Sequence, residues 1–260
     1  MRTSSVTRRQ FVKNSAGVVG PVMLAASALP FSGAGSDSGA ARKIKVVCIG
    51  GHPDDPESGC AGTLSRYVEA GHTVTIIYLT RGERGIEGKS DADAARIRSA
   101  ECEAACRIIG ATAVFAGQID GSTEFTRARV EELRKLLESE APEIVFTHWP
   151  IDTHMDHQVA SLCAIRACMA LQRRPHLYFF EVNSGSQTQG FTPNTYVDVT
   201  AVLDKKKAAL LAHVSQDGEE VWHRHHEPIA VWRGREAGVK VAEAFVHLNR
   251  DSQFSMLPGL

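Results

Sequence analysis

The strongest constraint on the fold of this sequence is a regular alternation between short apolar runs and longer segments with helical periodicity. The first run, 43–50, is almost continuously apolar and ends in Gly-Gly, as expected for a parallel strand that is covered on both faces. The segment 58–70 then repeats apolar residues at helical spacing and stops at Gly71. The same reasoning predicts further strands at 73–80, 113–115, 143–147 and 176–182, and helices at 91–109, 126–139 and 158–171.

Strands that alternate with helices predict an α/β fold, here a Rossmann-like doubly wound, mainly parallel sheet with helices on both faces. Beyond residue 182 the pattern weakens, and we expect a late strand at 196–199 and helices at 200–213 and 238–248. The segment 222–226, Trp-His-Arg-His-His, is expected to be a polar loop that could roof a cleft. No linker divides this region, so 42–260 is predicted to be a single domain.

The N-terminal region differs from the rest of the chain. Arg8 and Arg9 precede an uncharged, weakly apolar run at 15–31, which is followed by small residues up to position 41. This layout is typical of a twin-arginine export signal, with cleavage expected after Ala28 or shortly beyond it. Residues 1–41 are therefore interpreted as signal and linker, and the protein as exported through the twin-arginine translocase to the periplasm or the extracellular space. If that interpretation is wrong, a cytoplasmic location follows.

The net charge of the chain and the positions of its cysteines limit the kinds of partner that we expect. A formal net charge of -1 gives no basic field for nucleic acid, and charges interrupt every apolar run from residue 43 onward, which argues against a membrane span. The six cysteines lie within predicted strands and helices without close CxxC pairs. We therefore expect free buried thiols and a small-molecule substrate.

Two polar clusters follow predicted strands. The first, His52-Pro-Asp-Asp-Pro-Glu57, comes directly after the first strand, and the second, within 148–157, follows the strand at 143–147. Ligands of open α/β sheets bind beyond the carboxyl ends of the strands, so both clusters are expected at one edge. Each cluster alone has an ordinary explanation, as turn and capping residues or as surface histidines. Together they offer two imidazoles and a carboxylate, a set that suits catalytic Zn²⁺ and also ferrous iron.

These clusters closely resemble the motifs of the LmbE/PIG-L family of zinc-dependent N-acetylglucosaminyl deacetylases. The resemblance rests on the paired His-Pro-Asp-Asp and His-Met-Asp-His elements, and it extends through Leu79-Thr-Arg-Gly-Glu83 and His213-Val-Ser-Gln216. It covers most of residues 43–248. The resemblance implies a hydrolase that removes an N-acetyl group from an N-acetylglucosamine-type sugar or glycoconjugate, with Zn²⁺, or alternatively Fe²⁺, as cofactor.

Carried over position by position, the family pattern makes His52, Asp55 and His157 the metal ligands. Asp54 becomes the general base for the metal-activated water that acts as nucleophile. His154 would stabilise the oxyanion, and Asp156 would orient an imidazole. Arg81 would help to hold the substrate, although a solvated loop charge explains it equally well.

Other interpretations remain to be separated from this one. An exported glycan-binding protein with a structural metal and no turnover would need the same cluster. A nucleotide-dependent oxidoreductase is disfavoured, because no G-x-G-x-x-G follows the first strand. The acetylated substrate and the oligomeric state stay open, including self-association into a homo-oligomer.

Overall fold

The structure, a computed structural model, describes residues 42–248. The predicted export segment and the end of the predicted domain, 249–260, lie outside these residues. Within 42–248, one seven-stranded sheet runs through the molecule. Its strands are β1 (Lys45–Gly50), β2 (Thr73–Tyr78), β3 (Thr112–Phe115), β4 (Ile144–His148), β5 (His176–Phe180), β6 (Thr195–Asp198) and β7 (Ala242–His247).

Seven α-helices of the described region connect or flank these strands. They are α1 (Asp55–Glu69), α2 (Asp91–Ile109), α3 (Arg127–Glu140), α4 (Met155–Ala170), α5 (Leu203–Leu211), α6 (Gly218–Val221) and α7 (Glu227–Ala237). Short 3₁₀ turns lie at Thr200–Val202 and Val214–Gln216. In the described part of the chain, each helix is too short or too polar to cross a membrane.

The strand order is β3-β2-β1-β4-β5-β7-β6, and β1 to β5 pair in parallel. Two hydrophobic clusters cover opposite faces of the sheet, because alternate residues of each strand point to opposite sides. Val46 and Cys48 pack in the cluster that includes residues of α1, α2 and α5, whereas Val47 and Ile49 pack with α3 and α4. The prediction of a doubly wound sheet with helices on both faces is confirmed. All six cysteines are buried with free thiols.

The expectation of a helix at 238–248 is wrong. Gly238, at a φ of +74°, ends α7, and Ala242–His247 forms β7, antiparallel to β5 and β6. Five of the six β7 residues are buried. A strand that is covered on both faces shows no polar alternation, so hydrophobic periodicity could not separate it from a buried helix.

The expectation of a polar loop at 222–226 is also wrong. Trp222–His226 is a π-helical turn between α6 and α7, and both end residues, Trp222 and His226, are buried. Composition gave a misleading signal, because the Trp222 and His226 side chains are buried despite the polar residues between them. The π turn lets the chain pass from α6 to α7 without leaving the helical path.

The polar clusters meet because β1 and β4 are neighbours. Their parallel register pairs Val46 with Ile144 and Ile49 with Thr147, so the two strands end side by side. The sheet continues in opposite directions from this point, toward β2 and toward β5. Such a switch point opens a crevice at the carboxyl ends of the strands, where ligands bind in this fold class.

Candidate metal centre

The loop after β1 turns sharply into α1. Asp54 has a φ of +109°, an uncommon value for a residue with a side chain, and its amide donates to Glu57 Oε2 at 3.2 Å. A side chain at Gly50 would collide with Pro56, since a Cβ there would lie 2.6 Å from Pro56 Cδ. The glycine therefore allows the loop to fold back, and the strained Asp54 lies between the strand and the helix. Backbone strain of this kind is concentrated at functional sites.

The three predicted metal ligands lie together. His52 Nδ1 is 3.2 Å from Asp55 Oδ2, and His157 Nε2 is 3.2 Å from Asp55 Oδ1. Ligand atoms about 2.0–2.2 Å from a tetrahedral Zn²⁺ are roughly 3.3–3.5 Å apart, and both separations are near that range, one through each oxygen of Asp55. Three groups of side chains among the described residues could hold a metal, and the predicted ligands are divided among them: His52, His154 and His157; Asp55, His148 and His157; and His52, Asp120 and Asp156.

Further carboxylates contact the predicted ligand imidazoles. Asp156 Oδ2 lies 3.0 Å from His52 Nε2, and Asp120 Oδ1 lies 3.2 Å from the same nitrogen. On the other side, Asp152 Oδ1 lies 3.2 Å from His157 Nδ1. Carboxylates that contact the second nitrogen of a ligating imidazole fix its orientation and raise its basicity. This arrangement of acids behind imidazoles is typical of metal sites.

The carboxylates of the cluster favour a positive charge between them. Burial opposes charge on His52, yet contacts with Asp120, Asp156 and Asp55 raise its pKa well above the ordinary value. Burial likewise opposes charge on His157, but the charge of Asp55 and contacts with carboxylates raise its pKa to about 9. The carboxylates around the two imidazoles therefore favour positive charge at this position. A divalent cation would supply that positive charge, so the donor set fits a metal such as Zn²⁺.

Asp54 lines the same cavity as the predicted ligands and contacts Arg98. Arg98 Nη2 lies 3.3 Å from Asp54 Oδ2 and donates to Pro53 O. Burial raises the pKa of Asp54, while the Arg98 charge opposes that increase. An ionised carboxylate that is tuned in this way can act as a proton acceptor.

His154 caps α4 through its ring. The amide of Asp156 donates to His154 Nδ1 at 3.2 Å, so Nδ1 must be the unprotonated nitrogen. Burial and the positive charge of His52 lower the pKa of His154, which favours the neutral ring with its proton on Nε2. The ring of His154 lies 4.7 Å from that of His52, between centroids. A neutral Nε2–H beside the predicted ligands can donate a hydrogen bond to substrate.

A cavity of about 310 Å³ contains the cluster. This is near the lower end of the ~300–1,000 Å³ that is usual for small-molecule sites. Of the predicted site residues, Asp156 and Arg81 do not line it. Arg81 instead places its guanidinium 5.1 Å from the centroid of the Phe115 ring. The residues that line the cavity are His52, Asp54, Asp55, Ser58, Arg84, Gly85, Arg98, Asp120, His154, His157, Val182, Asn183, Gln187, Gln216 and Val221.

Sequence reasoning missed two arginines of this cavity. The sequence motifs assign no role to Arg84 or Arg98, both of which line the cavity. Arg98 does carry a signal in the sequence, because it falls between Ala94 and Cys102 on the buried face of α2. A charged residue on an apolar helix face needs a buried partner. Arg84 shows no comparable pattern.

The sequence of this chain is similar to those of known proteins. The family model described as PIG-L, GlcNAc-PI de-N-acetylase, matches residues 47–169. Diacetylchitobiose deacetylase of Thermococcus kodakarensis is 30% identical over 218 residues, which cover 76% of this chain and 81% of the relative. The chain belongs to the PIG-L/LmbE family. The resemblance inferred from the two motifs is thus confirmed.

Two further comparisons give one similar solved structure and one similar sequence. The solved N,N'-diacetylchitobiose deacetylase of Pyrococcus horikoshii has a TM-score of 0.69 and 26% identity, covering 78% of this chain and 83% of that one. The 4-oxalmesaconate hydratase of Pseudomonas putida is 26% identical over 225 residues, covering 78% of this chain and 86% of the relative. The proteins that resemble this chain therefore include both deacetylases and a hydratase.

Proposed function

We propose that this PIG-L/LmbE protein is a metal-dependent deacetylase that hydrolyses the N-acetyl group of an N-acetylglucosamine-type sugar or glycoconjugate. One observation carries the proposal: the three predicted metal ligands, His52, Asp55 and His157, line the same cavity as a separate carboxylate, Asp54. A purely structural metal site would need the trio alone. The similarity to diacetylchitobiose deacetylase supports the same reaction.

His52, Asp55 and His157 would hold the metal, with Zn²⁺ as the first choice and Fe²⁺ as the alternative. When bound, such an ion lowers the pKa of water and polarises a carbonyl oxygen. The role of the remaining residues is to bind the amide, to move a proton and to stabilise charge. Asp156 would orient His52, which it contacts through Nε2.

Asp54 would accept the proton of the attacking water and return it to the leaving amine. Its contact with Arg98 supports this role, because the guanidinium favours the ionised carboxylate. His154 would donate its Nε2–H to the oxyanion that develops on the acetyl oxygen. The hydrogen bond from Asp156 N to His154 Nδ1 supports that proton placement.

Arg84, Arg98 and Asp120 line the cavity and could bind the hydroxyl groups of a sugar. Substrate binding by Arg81 stays a sequence-based prediction. We also propose export through the twin-arginine translocase, on the strength of Arg8, Arg9 and the following uncharged run. An exported enzyme of this kind would meet envelope or extracellular glycan fragments.

An acetate-release screen tests the proposal. The zinc-loaded and the ferrous forms of the chain from residue 42 onward would be incubated with N-acetylglucosamine, its oligomers and its conjugates. We expect one metal per chain and acetate release from at least one of these sugars. Tight sugar binding without acetate release would favour the glycan-binding alternative. Turnover of 4-oxalmesaconate alone would instead favour a hydratase.

A further inference from the structure

A third imidazole lies as close to Asp55 as the two predicted ligands do. His148, the last residue of β4, is fully buried, and its Nε2 lies 3.3 Å from Asp55 Oδ2. Asp55, His148 and His157 together form a second group that could hold a metal. Distance alone therefore does not show whether His148 is a ligand. The sequence motifs assign it no role.

The hydrogen bonding of His148 separates the two cases. The amide of Gly51 donates to His148 Nε2 at 3.1 Å. An amide N–H can only donate, so this contact uses the Nε2 lone pair and places the proton of the neutral ring on Nδ1, a buried atom with no hydrogen-bond partner among the described residues. That lone pair is occupied by the amide and is not free for a metal. Among the described residues, no backbone amide donates to a ring nitrogen of His52 or His157.

The ring of His148 also supports a ligand imidazole directly. It stacks on the ring of His157, with centroids 4.2 Å apart and planes inclined by 15°. Behind it, the ring of Phe180 lies 4.7 Å away, so His148 is held between the core and the ligand. A change of ring shape at this position would let the His157 ring tilt.

Gly51, whose amide donates to His148, lies close to the predicted ligands Asp55 and His157. A Cβ at Gly51 would lie 3.2 Å from Asp55 Oδ2 and 3.3 Å from His157 Cδ2. Movement of this backbone would therefore shift the ligand atoms next to it. His148 contacts both the backbone that leads into His52 and the ring plane of His157.

We propose that His148 is a positioning residue of the metal centre and not one of its ligands. It holds the Gly51 amide through Nε2 and the His157 ring through stacking. The inference rests on the proposed function only in taking His52, Asp55 and His157 as the ligand set. It predicts that His148 increases the affinity for the metal and does not change the number of bound ions.

Zinc binding by three variants tests the proposal without any enzymatic assay. His148→Phe keeps a stacking ring but loses the acceptor, His148→Gln keeps an acceptor, and His157→Ala removes a predicted ligand. Zinc content would be measured by elemental analysis at saturating zinc, and affinity by competition with a chromophoric chelator. We expect one zinc per chain in both His148 variants, with affinity lowered roughly 10–100-fold in His148→Phe and partly restored in His148→Gln.

Two results would overturn the proposal. If the His148 variants lose zinc as completely as His157→Ala, His148 is a ligand. If both bind zinc with wild-type affinity, His148 does not position the site. If His148→Phe does not fold, the same two comparisons apply to His148→Gln. A wild-type protein that binds zinc but releases no acetate would refute the proposed function alone, because the His148 comparison needs only zinc binding.

Discussion

Arg98 Nη2 lies 3.3 Å from Asp54 Oδ2, and Gly82 and Gly85, in the turn that follows β2, lie against the Arg98 guanidinium. A side chain at Gly82 or Gly85 would overlap the Arg98 guanidinium, so both positions need glycine for this packing. The Arg98 side chain is only 4% exposed, whereas that of Asp54 is 25% exposed. The guanidinium therefore supports the carboxylate from the protein side and leaves it open to the cavity.

Replacing Arg98 should change the pH dependence of catalysis. In Arg98→Met, Asp54 loses its cation, so its pKa should rise and the acidic limb of kcat/KM should move upward by about one pH unit. Below that limb, activity should fall roughly tenfold. The measurement is a pH profile of acetate release at constant zinc content. Arg96→Met, on the exposed side of the same helix, is the control, and an unshifted limb in Arg98→Met would contradict the expectation.

Replacing Asp54 should separate turnover from metal binding. Asn is the suitable substitute, because it tolerates a positive φ better than Ala does and so keeps the turn at +109°. Asp54→Asn should lower kcat by about 10²–10⁴-fold, since the proton acceptor is lost, while one zinc per chain is retained. Elemental analysis and acetate release on the same sample check both parts. Loss of zinc together with activity would argue that Asp54 is a ligand.

Local signals were sufficient for much of the fold. The helix at 91–109 was predicted with its observed bounds, and in the structure Ser90 accepts a hydrogen bond from Asp93 N at its start while Gly110 adopts a φ of +88° at its end. Both are capping residues that act within a single turn of helix. The two polar clusters could also be assigned to one edge, since parallel strands of one sheet end on the same side.

Features that depend on distant contacts could not be predicted in this way. The strand β7 is buried by its neighbours, and only its pairing with β5 and β6 distinguishes it from a helix. The role of His148 depends on a Gly51 amide that is 97 positions away in the sequence. Arg81 and Arg84 are three residues apart in one loop, and only its path determines that Arg84 lines the cavity.

Removing one partner of a buried ion pair next to α1 should destabilise the fold strongly. Lys206 Nζ donates to Ser58 O and to Glu243 Oε1, both at 2.6 Å, and the Glu243 carboxylate accepts from Gly62 N and Thr63 N. These groups link the middle of α1 to α5 and β7. Removal of one charge would leave the other buried without its partner.

Neighbouring lysines provide a matched test of that pair. Lys206→Met should lower the free energy of unfolding by about 3–5 kcal/mol, because Glu243 is left uncompensated. Lys205→Met should cost less than about 1 kcal/mol, since the Lys205–Glu69 pair is 37% and 49% exposed in its side chains. Urea denaturation of both variants measures the difference. Equal losses of stability in Lys206→Met and Lys205→Met would refute this expectation. Adding Glu243→Gln to Lys206→Met should recover part of the lost stability.

His226 should make the fold sensitive to mild acid. Burial, with the nearby charge of Lys206, lowers the pKa of its ring to about 3, whereas an unfolded histidine titrates near 6.5. Between these values the unfolded chain binds a proton that the folded chain does not, so stability decreases as the pH falls below about 6.5. The loss from this group should reach about 2 kcal/mol at pH 5.

His226→Gln removes that titration and provides the comparison. Urea denaturation of the wild type and the variant at pH 7 and pH 5, both with a chelator so that metal release does not contribute, measures the difference in acid sensitivity. The wild type should lose about 2 kcal/mol more than the variant between these two pH values. Equal losses in the two proteins would mean that the acid sensitivity comes from other groups. A smaller loss in the wild type would reverse the sign and show that His226 is protonated in the folded chain.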